Sequence, residues 1–183
     1  PSARQNLSKR RKFYSGFVRK GDMCFDVGAN YGNRTEALLK IGARVLAVEP
    51  QENCYEYLRL RFGDKIQLVT KGLCEEVCVR QFHIADSSVI SSFSDEWIDS
   101  VRIGRFRDHS WNRTVEVEMT TLDNLIQEFG LPSFIKIDVE GYELEVLRGL
   151  SQPIDMISLE YTVPEQVSKA QDCVSTLQKI DGN

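Results

Sequence analysis

The stretch Phe134-Ile135-Lys136-Ile137-Asp138-Val139-Glu140-Gly141-Tyr142-Glu143 constrains this chain more than any other. An apolar, β-branched run ends in a carboxylate, and a charged turn follows it. Leu144, Val146 and Leu147 then supply the apolar face of a helix that Gly149 can close. Such a run with short flanking signals predicts a buried parallel strand. Asp138 therefore falls at or near the carboxyl end of a central strand, where open α/β sheets place their ligands. Lys136 is a charge inside a strand covered on both faces, and the two-residue period puts it on the same side as Asp138. Glu140 and Glu143 sit where a helix start favours anions, so both also read as dipole partners.

The rest of the chain supplies the strands and helices that such a core needs. The predicted order is a helix over residues 6–18, a strand Met23 to Val27, and a helix Asn33 to Ile41 stopped by Gly42. A strand Arg44 to Val48, a helix Glu52 to Phe62 and strands at Ile66 to Val69 and Val77 to Ile84 follow. Val115 to Met119 resumes as a strand. Thr120 or Thr121 caps a helix through Phe129, with Asp123 set for the reciprocal bond to Thr120. A strand Ile154 to Leu159 and a helix over 164–180 close the order. This alternation predicts a mostly parallel sheet with helices on both faces, in one domain over 1–183. Residues 1–21 form its leading basic helix and residues 22–161 its cofactor-binding core. Residues 85–113 break the rhythm with Ser, Asp, Arg, Trp97, Phe106 and Trp111. So long a connection reads as a substrate loop, a lid or a partly disordered segment. Within it and just after, Arg102, Arg105, Arg107 and Arg113 read either as a clamp for an anionic acceptor group or as solvated charge.

Charge separates the function classes. The chain carries −4 overall, but residues 1–21 hold seven basic side chains and no acid, which leaves −11 on the remainder. The basic segment reads as a solvated helix packed through Phe13, Phe17 and Val18, and the acidic body argues against a broad nucleic-acid footprint. No apolar run approaches the ~20 residues of a membrane span, and the N-terminus lacks a signal-peptide core, so a cytoplasmic location is expected. The five cysteines, an odd number, read as small core residues in a reducing compartment. Cys74 and Cys78 have no second pair to complete a zinc site, and a divalent cation on Asp138, Glu140 and Glu143 is not assigned, so no metal is expected.

The turn Asp26-Val27-Gly28-Ala29-Asn30-Tyr31-Gly32 after the first strand is the cofactor candidate. Glycines at 28 and 32 allow close backbone approach to a ligand, and Asn30 tolerates left-handed backbone. Glu49 ends the second strand 21 residues after Gly28, where a carboxylate can accept both ribose hydroxyls of an adenosine; Pro50 turns the chain away. A dinucleotide fingerprint, G-x-G-x-x-G, does not fit this turn, and Asp26 suits a cationic partner better than a diphosphate.

Lys136-Ile-Asp-Val-Glu-Gly-Tyr-Glu143 with Leu147-Arg148-Gly149, Phe25–Asn30, Val48-Glu49-Pro50 and Ser158-Leu159-Glu160 together resemble the FkbM family of S-adenosylmethionine-dependent methyltransferases. The resemblance covers most of residues 23–161, in the family's order. It implies a Rossmann-like, doubly wound sheet of the class I methyltransferase type. The antiparallel strand pair that usually ends that fold is truncated, disordered or missing here, since the chain stops at Asp181-Gly182-Asn183. It implies S-adenosylmethionine held by Asp26, Gly28, Ala29, Asn30, Gly32, Glu49 and Pro50. Adenine is expected near Leu73 and Cys74, and Ser91 and Ser92 beside the cofactor. Asp138 is the first candidate for base or substrate orienter and Glu160 the second. Lys136 is placed to pair with one of them, or to form a structural pair with Glu160. The acceptor implied is a hydroxyl of a small molecule or glycan. An RNA methyltransferase, suggested by the basic N-terminus, and a cofactor-binding domain without catalysis are the alternatives.

Overall fold

The computed structural model describes residues 2–182 and divides them into two compact units. One runs to Thr70 and adds Phe129–Ile137 and Ile154–Ser158. The other takes Lys71–Glu128, Asp138–Pro153 and the described residues from Leu159.

The first unit is built on a five-stranded sheet in the order β3-β2-β1-β7-β8, flanked by helices. Its strands are β1 (Met23–Val27), β2 (Arg44–Val48), β3 (Gln67–Val69), β7 (Phe134–Ile137) and β8 (Ile157–Leu159). β1 pairs in parallel with β2 on one side and β7 on the other, so Asp26 lies in register between Ala47 and Lys136. Every residue of β1 and β7 is buried, as the unbroken apolar run of a doubly covered parallel strand requires. Helices α2 (Asn33–Ile41) and α3 (Glu52–Phe62) have the bounds their apolar spacing predicts. Helix α1 (Ala3–Tyr14) starts and ends earlier than its apolar spacing predicts. Ser2 and Gln5 form a reciprocal capping box that sets its start, and Ser15 takes over as its C-terminal cap. Tyr14 and Phe17 pack on Phe134 at ring separations of 5.6 and 5.2 Å, which fixes this basic segment through its aromatic side.

The second unit holds a smaller sheet, β4-β6-β5, made of β4 (Gly72–Leu73), β6 (Arg113–Thr120) and β5 (Val79–Ile84). β4 runs parallel to β6 and β5 antiparallel to it. Residues 85–113 are not an open loop. They contain a 3-10 turn at Ser88–Ile90 and helix α4 (Asp95–Arg102), whose Ser94 hydroxyl accepts the Trp97 N–H at 3.1 Å. Trp97, Ile98 and Val101 close a small core with Ala85 and Ile90, and the Trp111 indole donates to the Ile90 carbonyl at 2.8 Å. The stripe spans little more than one helical turn, too short to read through the surrounding polar residues.

Thr121, rather than Thr120, caps helix α5 (Leu122–Phe129) by accepting the Asn124 N–H at 3.0 Å. Asp123 makes no reciprocal bond to Thr120; its carboxylate accepts the Ser151 N–H at 2.9 Å. Helix α6 (Glu143–Arg148) ends at Gly149, whose φ of −84° is ordinary. The glycine is needed there for space, because a Cβ would stand 2.3 Å from the Cys74 carbonyl oxygen. Helix α7 (Val167–Asp181) completes the unit, and no strand follows it among the described residues; Asn183 lies outside them. Among the described residues no helix is long and apolar enough to cross a membrane.

Candidate active site

In the first unit the β1–α2 turn is wound through left-handed backbone, with φ of 75° at Gly28, 49° at Asn30 and 76° at Gly32. The Gly28 and Ala29 N–H groups donate to the Val48 carbonyl at 3.0 and 3.1 Å, tying the turn to the end of β2. Glu49 completes the brace. One of its oxygens accepts the Asn30 N–H at 2.7 Å and the other accepts the Gln51 N–H at 2.9 Å. Burial pushes this carboxyl up to about 7, and the two backbone bonds and Lys136 oppose that rise. Each oxygen retains a second acceptor position, so the geometry is compatible with a pair of hydroxyl donors.

Asp26 lies wholly buried under the turn. One oxygen accepts the Thr35 hydroxyl at 2.6 Å, which fastens the start of α2; the other, Oδ1, has no hydrogen-bond partner. An orphaned buried carboxylate oxygen is costly. Gly32 has a different reason from the one its spacing suggests. A Cβ there would stand 2.4 Å from the Phe62 ring and 2.7 Å from Leu58, so it admits α3 rather than a ligand. Pro50 is half-buried beside these residues, and Lys136 is buried at the β7 position paired with Asp26. Two participants were not anticipated. Tyr31 stacks edge-on against Tyr57 at 5.2 Å, and Gln51 lends its N–H to Glu49. A tyrosine inside a glycine turn was the available signal.

In the second unit Asp138 and Glu160 line one pocket of about 370 Å³, together with Glu140, Glu143, Gln166 and Phe106. The turn that carries them is strained: Glu140 has φ 51° and Gly141 φ 92°. Glu143 holds it, one oxygen accepting the Val139 and Gly141 N–H groups at 3.1 and 3.3 Å. Burial raises this carboxyl to about 7 against those bonds, and Asp138 adds to the rise. The Glu140 carbonyl is pinned by the Ser92 hydroxyl at 2.6 Å, and the Ser92 oxygen accepts the Ser94 N–H at 2.9 Å. Ser91 accepts the Ala85 N–H at 3.1 Å. Both hydroxyls are thus engaged by the chain itself. Cys74 is buried, its N–H donates to Thr120 and its sulfur stands 3.7 Å from that of Cys78. Burial raises its thiol, and none of the five cysteines is in a disulfide. Of the four arginines, Arg105 alone reaches the pocket, and it donates to the Val163 carbonyl at 2.6 Å. Arg102 pairs with Asp99 and Arg107 with Asp108.

The family model of the methyltransferase FkbM domain matches residues 26–179. The chain belongs to the FkbM methyltransferase family. Solved structures agree on the fold. The precorrin-6y C5,15-methyltransferase of Geobacter metallireducens GS-15 superposes with a TM-score of 0.51 at 12% identity, covering 98% of this chain and 70% of that one. A TehB-like SAM-dependent methyltransferase of Corynebacterium glutamicum ATCC 13032 superposes with a TM-score of 0.50 at 11% identity, covering 96% and 77%. No curated protein sequence matches. The FkbM match takes in both the β1–α2 turn and the acidic pocket, and the α/β sheet is the Rossmann-like one of class I methyltransferases.

Proposed function

We propose that this FkbM-family methyltransferase uses S-adenosylmethionine and transfers its methyl group to a hydroxyl oxygen of a small molecule or glycan. The observation that carries the reading is the left-handed turn at Gly28–Gly32, braced by the buried carboxylate of Glu49. In this reading Glu49 accepts the ribose hydroxyls on its remaining acceptor positions, and Ala29, Asn30 and Pro50 shape the surface around them. Asp26 supplies negative charge beneath the turn. S-adenosylmethionine would supply an electrophilic methyl carbon on a sulfonium sulfur.

In this reading Asp138 would orient the acceptor hydroxyl and take up its proton as that oxygen becomes the nucleophile, while the bound donor would supply the methyl group and keep the electron pair on sulfur. Glu160, on the same pocket, is the second acid for this role, and Lys136 balances charge at the strand end. Cys74, Ser91 and Ser92 act by holding backbone, Ser92 through the Glu140 carbonyl.

Calorimetric titration with S-adenosylmethionine and with NAD, repeated on Glu49→Ala, tests the donor. The expected result is a signal for S-adenosylmethionine alone, lost in the variant; tight NAD binding without it rejects the reading. Asp138→Asn tests the chemistry. It is expected to keep donor binding and lose about 10²–10⁴-fold in turnover, the usual worth of a positioned base. Donor binding with no transfer to any acceptor in a broad panel would favour a non-catalytic binding domain.

A further inference from the structure

Two of the five cysteines face each other. Cys74 follows β4 and Cys78 precedes β5, and their sulfurs stand 3.7 Å apart across the turn between them. The backbone puts them there. The Cys74 N–H donates to the Thr120 carbonyl at 3.0 Å, and the Met119 N–H donates to the Cys78 carbonyl at 2.8 Å. The turn thus passes from one side of β6 to the other, because β4 and β5 flank that strand. Both side chains join one apolar cluster with Phe82, Val117 and Met119. The Cys74 thiol donates to the Glu76 carbonyl at 3.1 Å, which fixes the direction of its sulfur. Arg80 lies 3.6 Å from Glu75 and 3.5 Å from Glu76, and so ties down two of the three residues between the thiols.

The two thiols are not equivalent. Cys74 is fully buried and Cys78 is partly exposed. Burial also holds the proton on the Cys74 sulfur. A soluble oxidant therefore meets Cys78 first, with Cys74 already in contact behind it. A disulfide bond of about 2.05 Å needs sulfurs at 3.7 Å to close by roughly 1.6 Å, within reach of a side-chain rotation. Cys24, Cys54 and Cys173 are also buried, but they sit on three separate elements, β1, α3 and α7. Two sulfurs alone leave a zinc site incomplete, and among the described residues no group of three or more His, Cys, Asp or Glu is placed to hold a metal ion.

We propose that Cys74 and Cys78 form a redox-active pair, in which Cys78 reacts with hydrogen peroxide and Cys74 resolves the product to a reversible disulfide. The Cys78 thiolate attacks one peroxide oxygen and the O–O bond breaks. The other oxygen takes up a proton and leaves as water, and Cys78 is left as a sulfenic acid. The Cys74 sulfur then attacks the Cys78 sulfur, the S–O bond breaks, and the hydroxyl leaves as a second water with the Cys74 proton. Two thiols give up two electrons, and one peroxide is reduced to two waters. In a reducing compartment such a bond is transient, as it is in redox-sensing proteins. The pair does not depend on the methyltransferase reading.

The test exposes the reduced full chain to hydrogen peroxide, then unfolds it in urea with N-ethylmaleimide and cuts it with trypsin. Cleavage after Lys71 and Arg80 leaves both cysteines in one peptide, Gly72–Arg80. In mass spectrometry that peptide is expected to lose both labels together, at least about tenfold faster than Cys24, Cys54 or Cys173 lose theirs. It should weigh two hydrogens less, and dithiothreitol should restore both labels. Cys74→Ser is expected to trap the sulfenic acid as a dimedone adduct on Cys78 that the parent chain does not form. Cys78→Ser is expected to slow the oxidation of Cys74 to that of the other buried cysteines, and it decides the matter where Cys74→Ser does not fold. Labels lost no faster than at the three buried cysteines overturn the proposal. So do a sulfinic acid on Cys78 beside an intact Cys74 thiol, disulfide-linked dimers in place of the internal bond, or undiminished oxidation of Cys74 in Cys78→Ser.

Discussion

Each unit carries a buried glutamate that holds a left-handed turn, and the two hold it by different attachments. Glu49 splits its grip, one oxygen for the Asn30 N–H and the other for the Gln51 N–H. Glu143 places its bonds from Val139 and Gly141 on a single oxygen. The first arrangement needs two acceptor oxygens, and an amide offers only one. The second needs only one good acceptor. A turn can thus be fixed by chemistry that demands two acceptor oxygens or by chemistry that needs only one, and the difference is measurable.

The largest expected effect separates the glycines around these turns. Gly149→Ala places a methyl 2.3 Å from a backbone carbonyl that cannot yield, and a loss of about 3 kcal/mol or more is expected in urea unfolding. Gly32→Ala meets the Phe62 and Leu58 side chains and adds left-handed strain at φ 76°; it should cost about 2 kcal/mol. A Gly149 variant no worse than the Gly32 variant would mean that the second unit relaxes where the first does not.

Acid–base linkage comes next. Both glutamates have folded values raised from 4.5 to about 7. The native state therefore binds protons more readily, and the stability tied to each neutral form is present below about 4.5 and lost as pH rises through 7. Each contributes on the order of 3 kcal/mol across that window. Unfolding followed from pH 4.5 to 8 on Glu143→Gln should show a flatter profile than the parent chain, and an unchanged slope would deny the residue its buried site.

The smaller contrast is at fixed pH. Below 4.5, where both acids are neutral, Glu49→Gln orphans one buried N–H and should cost about 1–3 kcal/mol. Glu143→Gln keeps its single acceptor and should fall within about 0.5 kcal/mol of the parent. Equal costs would erase the distinction between the two braces.

How far these features were legible differs in the same way. Met23–Val27, Asn33–Ile41, Arg44–Val48 and Glu52–Phe62 read correctly because apolar periodicity and punctuation by Gly42, Pro50 and Gly63 coincide. Helix α4 did not, because its apolar stripe is three residues long and lies among serines and aspartates. Strand β4, two residues long, is invisible to any periodicity. The Ser2–Gln5 capping box was present as residues, but no apolar run stood beside it to mark a helix start. At the site, Asp138 was the first candidate for base or orienter and Glu160 the second, and both line one pocket. Gln166 was missed, since an isolated glutamine carries no pattern and its place on the pocket exists only in three dimensions.

The interleaving of the two units along the chain has a consequence for synthesis. The chain passes from one unit to the other five times, at Thr70, Glu128, Ile137, Pro153 and Ser158. On a ribosome, β1, β2 and β3 emerge early, but the β7 edge that completes β1 follows only after more than a hundred residues. Until then one side of the most buried strand in the sheet offers its backbone to any passing partner. A nascent chain halted before Phe134 should therefore be the form most in need of a chaperone.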